Sequence, residues 1–419
     1  MQTFTFIFLG FLAASVLVRL WLSHRQVKHI QAHFAAVPEA FAERISLQDH
    51  QRAADYSCTK LRFARLMLAW ETLWLLLWTL GGGVNLIDQW WTGFEYPVLV
   101  TGIAVIFTLT LVSSLLDMPF SLYQTFVIEE RFGFNKTTLS TWLVDLLKTA
   151  MLVILLGTPL LAAILWLMNQ AGDNWWIYAW ALWMGFSLTM IWAYPAFIAP
   201  LFNKFSHLED LSLRTRIENL LSRCGFHSQG VFVVDGSRRS SHGNAYFTGF
   251  GKNKRIVFYD TLLESLSEDE VEAVLAHELG HFKRKHITKS LILSAAISAA
   301  GFAILAWLMR SDWFYGSLGV ETPSTHAALI LFMLVMPVFT YFISPMFSAL
   351  SRKHEFEADE FAHSNSDYKA LISALVNLYR DNASTLTPDP LHSMFYDSHP
   401  PATIRINHLE SIASGGSSS

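Results

Sequence analysis

Five residues near the middle of the chain, HELGH at 277–281, are of the types that bind and use a metal ion. His277 and His281 are four residues apart, so one helical turn would bring both imidazoles to the same face. Glu278 lies beside the first histidine, where it can take a proton from a metal-bound water. Zinc makes such a water acidic enough to supply hydroxide near neutral pH. Because so short a motif also arises by chance, the zinc hypothesis needs a helix and a third ligand.

The residues around this motif predict the helix. Ser267 followed by Glu270 has the spacing of a capping box, which marks a helix start. Apolar residues then recur at helical spacing up to the motif. We therefore predict that a helix begins at Ser267 and carries HELGH.

The sequence excludes one source of a third ligand. A metzincin carries a glycine three residues and a histidine six residues beyond the second motif histidine. Those positions hold Arg284 and Ile287 in this chain. The remaining solution takes a carboxylate from a later helix, and the segment SRKHEFEAD at 351–359 offers several.

In that segment, Glu355 and Asp359 are four residues apart and share a helical face. Glu355 can bind the metal, and Asp359 can accept a hydrogen bond from a ligand imidazole. Glu357 points about 200° away at the helical pitch, which makes it the weaker candidate. With His277 and His281, Glu355 would complete a site for one Zn²⁺ per chain, with one position open for water.

The composition indicates a membrane protein. Of 419 residues, 52% are hydrophobic and 15% charged, whereas a soluble domain carries about 25% charge. The formal net charge of −4 gives no reason to expect nucleic-acid binding. Cys58 and Cys224 are far apart and outside any CxxC pair, so we interpret both as free thiols.

About seven segments are long and apolar enough to cross a bilayer. The start, Met1-Gln2-Thr3, lacks the positive charge of a signal peptide, so the first segment is expected to be retained rather than cleaved. The predicted spans are 4–22, 66–88, 96–116, 143–168, 176–200, 289–309 and 327–349. Glu71 and Lys148 lie within them and are candidates to line a polar chamber.

Charged and aromatic residues predict the orientation. The segments 89–95, 169–175 and 311–326 contain no Lys or Arg and are flanked or filled by tryptophans, as at an outer membrane interface. The other loops are long and charged, which places them in the cytoplasm by the positive-inside rule. The segment 201–288, with HELGH, is therefore expected on the cytoplasmic side.

We call residues 201–288 the zinc module. Residues 209–223 have a helical pattern, and 230–235 and 255–260 have strand patterns. Between these strands, Asn244, Ala245 and Tyr246 begin a stretch that could form an edge strand. Zincins bind extended substrates along such an edge, although a plain hairpin strand explains the same stretch.

The chain divides into parts by hydropathy and motif. We expect an N-terminal membrane region of about five helices, the zinc module, two further membrane helices, a C-terminal group of cytoplasmic helices with the third ligand, and a tail. The predicted bounds are 1–200, 201–288, 289–350, 351–414 and 415–419.

Several long blocks, together with HELGH and SRKHEFEAD, give the chain a family resemblance. The blocks are PFSLYQTFVIEERFGFNKTT at 119–138, YPAFIAPLFNKF at 194–205, SRRSSHGNAYFTGFGKNKRIVFYDTLL at 237–263 and HPPATIR at 399–405. The chain resembles the type I CaaX prenyl proteases, which are integral-membrane zinc metalloendopeptidases. Bacterial heat-shock membrane proteases share the zinc motifs but are not expected to carry the 119–138 block.

The resemblance implies a mainly α fold, with seven membrane helices around a water-filled chamber and a small α+β zinc domain. It implies that His277, His281 and Glu355 bind the zinc and that Glu278 is the general base. It also implies that Asn244 contacts the substrate backbone and that His399 and Arg405 support the substrate and the oxyanion. A positive charge there would stabilise the developing gem-diolate; without the resemblance, HPPATIR predicts a rigid loop before a final helix.

The expected partners are the bilayer and a peptide or protein substrate, prenylated or otherwise associated with the membrane; nothing requires an oligomer. The chain is compact and lacks a dilysine ending, so a bacterial cell membrane is the first expectation and the endoplasmic reticulum the alternative. A transporter with a structural zinc site is the competing hypothesis, but such sites usually have four Cys or His ligands. An inactive scaffold would have a damaged motif, and this motif is intact.

Overall fold

The computed structural model describes residues 2–226, 230–248 and 255–415, and helices dominate these residues. The N-terminal helices are α1 (Thr3–Ala32), α2 (Leu47–Trp78), α3 (Gly83–Thr92), α4 (Val98–Tyr123), α5 (Leu139–Leu152), α6 (Thr158–Gln170), α7 (Trp175–Ala193) and α8 (Ala199–Phe202). The zinc module contains β1 (Phe205–His207), α9 (Leu211–Arg223), β2 (Val231–Val234), β3 (Ala245–Thr248), β4 (Arg255–Tyr259), α10 (Asp260–Ser265) and α11 (Glu268–Lys283). The remaining helices are α12 (His286–Leu308), α13 (Asp312–Ser317), α14 (Thr325–Thr340), α15 (Ser344–Asn365), α16 (Tyr368–Asp381), α17 (Pro390–Tyr396) and α18 (Ala402–Ala413).

Within the described residues, six helical runs are long and apolar enough to cross a membrane, and the bent pair α2–α3 makes up to seven. This confirms the predicted multi-pass, mainly α fold with about seven spanning helices. The predicted span 66–88 is not one continuous helix, because the chain bends by 46° between Trp78 and Gly83. Gly82 has a φ of 75° at this bend, a conformation that glycine adopts without steric cost.

The last predicted span, 327–349, also differs from the observed helices. A short 3₁₀ turn at Tyr341–Ile343 joins α14 to α15, and α15 then continues to Asn365. The predicted boundary between residues 350 and 351 therefore falls inside a helix. As a consequence, Glu355 lies on the direct continuation of a membrane helix.

A cavity of about 1220 Å³ lies among α1, α2, α15 and α17. Its wall includes the cationic side chains of Arg19, Lys60 and Arg65 together with Glu71. Glu71 thus lines a chamber that has charged side chains in a largely apolar wall, whereas the hypothesis was a polar chamber. Lys148 instead donates a hydrogen bond to the carbonyl oxygen of Leu201, at 2.7 Å.

The zinc module is built on a four-stranded sheet with the order β1-β2-β4-β3. β2 and β4 are parallel, while β1 and β3 pair in antiparallel fashion with their neighbours. The predicted strands at 230–235 and 255–260 are observed as β2 and β4, and the predicted edge strand is observed as β3. The last residues of the predicted tail, 416–419, lie outside the described part of the chain.

Helix α11 begins as the sequence predicts. The Ser267 hydroxyl oxygen accepts the Glu270 N–H, and the Glu270 carboxylate accepts the Ser267 N–H, which completes a capping box. Glu270 also accepts hydrogen bonds from Ser373 and Asn377 on α16. The N-terminal end of the motif helix is thereby joined to the C-terminal helices.

Helices α11 and α15 approach each other closely at Gly280, inside HELGH. A Cβ atom at this position would lie 2.8 Å from the Ala358 Cα and 3.0 Å from its carbonyl oxygen. Only glycine permits this approach without a backbone shift. The small residue therefore brings the two ligand-bearing helices together.

Candidate metal centre and active site

The three residues predicted to bind zinc meet at one point between α11 and α15. The Nε2 atoms of His277 and His281 are 3.2 Å apart. Glu355 Oε1 is 3.2 Å from Nε2 of His281, and Glu355 Oε2 is 3.4 Å from Nε2 of His277. One ligand atom from each residue lies within 4.8 Å of the others, so the group could hold a metal ion.

The surroundings of these atoms fit a zinc ion. Glu355 is buried, and its Oε2 atom has no hydrogen-bond partner among the described residues. Such an atom is costly to leave unsatisfied. Two imidazole nitrogens and one carboxylate form a donor set that catalytic zinc sites use. A cation between them would satisfy the orphaned oxygen.

Asp359 and Arg405 support His277 from the buried side. His277 Nδ1 is 2.8 Å from Asp359 Oδ1, so the ring donates its N–H there when Nε2 faces the metal position. Arg405 donates to both carboxylate oxygens of Asp359, at 2.9 and 2.6 Å. Asp359 was predicted in this role, whereas the position of Arg405 behind it was not foreseen from the sequence.

The carboxylates also set the charge preference of the site. Burial and Arg405 lower the pKa of His277, but its hydrogen bonds to Asp359 and Glu355 outweigh both and raise it to about 9. The pocket therefore favours a positive charge at this ring. That preference suits a bound cation equally well.

His399 and Arg405, both predicted as oxyanion supports, lie in different surroundings. His399 is 65% exposed, and its Nε2 atom is 3.4 Å from Glu355 Oε1. Arg405 is buried, and its Nη1 atom is 3.7 Å from Glu355 Oε2. His399 thus faces the open side of the site, while Arg405 contacts the carboxylates from behind.

His281 has a different partner, which sequence reasoning missed. Its Nδ1 atom is 3.0 Å from His286 Nδ1, and His286 Nε2 is 2.9 Å from Glu357 Oε2. The signal was present in the sequence as a third histidine five residues after HELGH. Glu357 had been considered only as a metal ligand, and it lies instead beside His286.

A cavity of about 450 Å³ opens next to the metal position. Glu278 and His281 line it from α11, and Tyr246 lines it from β3. Burial raises the pKa of Tyr246 to about 12, with smaller contributions from Tyr259 and Tyr194, so its hydroxyl stays protonated at neutral pH. The predicted base and the predicted substrate strand therefore share one cavity.

The remaining residues predicted to bind substrate lie at the start of β3. Asn244 is exposed, and its Oδ1 atom accepts the Ala245 N–H at 2.8 Å. Ala245 and Tyr246 pair with Phe258 and Val257 of β4. β3 is an edge strand of the sheet, and its residues Tyr246 and Phe247 line the cavity.

Together, the helical membrane region and the HExxH-bearing zinc module define an integral-membrane metalloprotease. Residues 26–204 match the family described as CAAX prenyl protease N-terminal, five membrane helices, and residues 207–413 match Peptidase family M48. The chain belongs to the CAAX prenyl protease family of M48 peptidases. The resemblance inferred from the sequence blocks is thereby confirmed.

Individual relatives are similar over nearly the whole length. The chain is 36% identical to a CAAX prenyl protease 1 homolog of Oryza sativa over 411 residues, covering 96% of each. It is 32% identical to CAAX prenyl protease 1 of Saccharomyces cerevisiae, covering 96% of this chain and 94% of the relative. The crystal structure of S. mikatae Ste24p superposes with a TM-score of 0.91 at 30% identity, covering 98% of this chain and 99% of that one. These relatives are eukaryotic and give no support to the expectation of a bacterial membrane.

Proposed function

We propose that this chain is a zinc endopeptidase that cleaves CaaX-type, lipid-anchored or otherwise membrane-associated protein segments. The observation that carries the proposal is the convergence of His277, His281 and Glu355 beside a cavity that Glu278 also lines. The names of the relatives, CAAX prenyl proteases, support the substrate class. M48 peptidases imply a metal, and the donor set favours zinc.

In this proposal, zinc bound by the three ligands would polarise the scissile carbonyl and acidify the attacking water. Glu278 takes the proton from that water and passes it to the leaving amine. A carboxylate suits both steps because it can accept and return one proton within the cavity. The exposed imidazole of His399 is placed to donate a hydrogen bond to the oxyanion.

Arg405 has a positioning role in this scheme. Its guanidinium is buried against Asp359 and 3.7 Å from Glu355. It therefore offsets the negative charge of both carboxylates and holds Asp359 against His277. Its contribution to oxyanion stabilisation would be through the field of its charge rather than through a direct contact.

The substrate is proposed to bind as an added strand along β3. An extended peptide exposes its scissile carbonyl, and an edge strand offers backbone N–H and C=O groups to it. Ala245 would provide such backbone groups, because Asn244 and Tyr246 turn theirs toward β4 in the antiparallel ladder. Tyr246 would contact the substrate through its side chain, which lines the cavity. Asn244 would exchange its internal contact with the Ala245 N–H for one with the substrate backbone.

We also propose that the zinc module faces the cytoplasm. We propose further that the division at residues 1–200, 201–288, 289–350 and 351–414 describes functional units, with α15 running through the last boundary and joining the two units on either side of it. The positive-inside pattern supports the orientation. Substrates would then enter as unfolded segments or chain ends. We expect an unstructured lipid-anchored tail to be cut and a stable globular protein to resist.

The decisive test compares Glu278→Gln with wild type on a CaaX-terminated peptide, prenylated and unprenylated, in detergent. The variant should keep zinc and lose hydrolysis, because it removes the base and no ligand. Glu264→Gln, an exposed change in the same module, is the matched control and should retain activity. Full activity in Glu278→Gln would refute the assigned base, and loss of zinc would mean that Glu278 is a ligand.

A further inference from the structure

Each of the two proposed ligand imidazoles is neutral when it binds a metal and then carries one N–H, which needs an acceptor. If Nε2 of each ring faces the metal, the neutral ring carries its hydrogen on Nδ1. His277 donates this hydrogen directly to Asp359. The Nδ1 atom of His281 lies 3.0 Å from the Nδ1 atom of His286. Because His281 donates its hydrogen there, Nδ1 of His286 must be the acceptor.

This hydrogen bond also determines the tautomer of neutral His286. With Nδ1 as the acceptor, the neutral ring carries its hydrogen on Nε2, which lies 2.9 Å from Glu357 Oε2. Each donor in the series from His281 through His286 to Glu357 therefore faces an acceptor. The tautomers of both rings follow from the carboxylate at the end.

The fold holds His286 firmly in this place. Lys285 has a φ of 57°, in the left-handed region, and this single residue turns the chain from α11 into α12. The turn directs His286 back toward His281. Its ring is buried and stacks on His354, with centroids 4.0 Å apart and an interplanar angle of 11°.

Glu357 reaches His286 from the same helix that carries Glu355. Residues two positions apart on a helix point about 200° away from each other. Helix α15 therefore presents Glu355 to the metal position and Glu357 to His286. The Glu357 side chain is 25% exposed, and Lys289 lies 3.7 Å from it. Lys289 therefore offsets its charge.

We propose that His286 and Glu357 are positioning residues that fix the ring orientation and tautomer of His281 for metal binding. The proposal rests on the proposed zinc site. Partners of this kind orient a ligand histidine and raise its basicity, and their loss typically costs about 10–100-fold in metal affinity or activity. The helical spacing of α15 alone does not predict this role, because Glu357 does not share the helix face that carries Glu355.

The experiment measures zinc affinity of the full-length protein in detergent by competition with a chelator of known affinity. Glu357→Leu removes the acceptor and should weaken zinc binding about 10–100-fold. Glu357→Gln keeps an acceptor oxygen for His286 and should recover most of the affinity. Glu360→Leu is the matched control, because Glu360 lies three residues away on α15 and pairs with Arg284 and His408 only at 3.9 and 3.8 Å.

A second readout separates positioning from general stability. Replacing zinc by Co²⁺ makes the visible absorption report the ligand geometry. The Co²⁺ spectrum should change in Glu357→Leu and in His286→Phe, while that of Glu360→Leu matches wild type. If His286→Phe fails to fold, the Glu357→Leu and Glu357→Gln pair still decides the question, because that side chain is partly exposed.

The outcomes are distinguishable. Equal zinc affinity and equal Co²⁺ spectra in Glu357→Leu and Glu360→Leu would overturn the positioning role. Equal losses in Glu357→Leu and Glu357→Gln would also overturn it, because the acceptor would then not matter. If Glu355→Ala binds zinc as wild type does, the proposed metal site itself has failed, and with it the proposed function.

Discussion

The active site has a buried side and an open side, and they are built differently. The buried side, formed by His277, Asp359 and Arg405, is closed to solvent and joined by short hydrogen bonds. The open side, formed by Glu278 and β3 around the 450 Å³ cavity, has half-buried groups and an edge strand. If the proposed function holds, the buried side would set the metal geometry, while the open side would leave room for a substrate and for proton transfer. Changes to the first should therefore alter zinc and stability, and changes to the second should alter rate.

The largest effect is expected from Glu355→Ala, which removes the proposed carboxylate ligand that lies against both histidines. Two imidazoles alone leave the metal without its carboxylate, so stoichiometric zinc should be lost together with hydrolysis. Metal analysis of protein purified without chelator measures this. A variant that retains one zinc per chain would show that the ligand lies elsewhere.

Arg405→Leu should destabilise the protein most strongly among the supporting residues. It leaves the Asp359 carboxylate buried and without its cation, and breaking a buried pair costs about 3–5 kcal/mol. Thermal unfolding in detergent reports the loss. Arg214→Leu breaks the exposed Arg214–Glu218 pair in the same module and should cost about 0.3–0.5 kcal/mol; equal effects of the two changes would contradict the buried-side description.

Gly280→Ala should separate α11 from α15 on the buried side. Its new methyl group would overlap the Ala358 backbone, and such overpacking costs about 1–3 kcal/mol. We expect lower stability and weaker zinc binding. Gly301→Ala in α12, where the nearest atom is 3.9 Å away, is the control and should be tolerated. A Gly280→Ala protein with wild-type zinc affinity and stability would argue against the close helix contact.

The smallest effect is expected on the open side from Asn244→Ala. It removes one proposed hydrogen bond to the substrate, worth about 0.5–1.5 kcal/mol, which corresponds to a fall in kcat/KM of up to about tenfold. Zinc content should not change, because the hydrogen bonds of Asn244 in the described part of the chain go to Ala245 and Tyr259 and not to a proposed ligand. Loss of zinc in this variant would mean that β3 supports the metal site rather than the substrate.

Much of this arrangement could be predicted from local sequence patterns. The capping box at Ser267 and Glu270 and the spacing of His277 and His281 depend on helical pitch, which operates over a few residues. The spanning helices follow from hydropathy alone, and the edge strand β3 was foreseen from the strands on either side of it. Two such local patterns, HExxH and the four-residue spacing of Glu355 and Asp359, together predict Glu355 as the third ligand.

Contacts between distant segments were decided by the tertiary structure. Glu357 lies 71 residues from His286, and Arg405 lies 46 residues from Asp359, so no local period connects them. The local sequence does not explain the glycine in HELGH, whereas the close packing of α15 against it does. Helical pitch determines which residues share a face, but the packing of whole helices determines what each face meets. For this reason the sequence by itself predicted the metal-binding residue types and the position of Asp359 behind His277. Only the fold decided that Arg405 contacts Asp359 and that His286 and Glu357 lie behind His281.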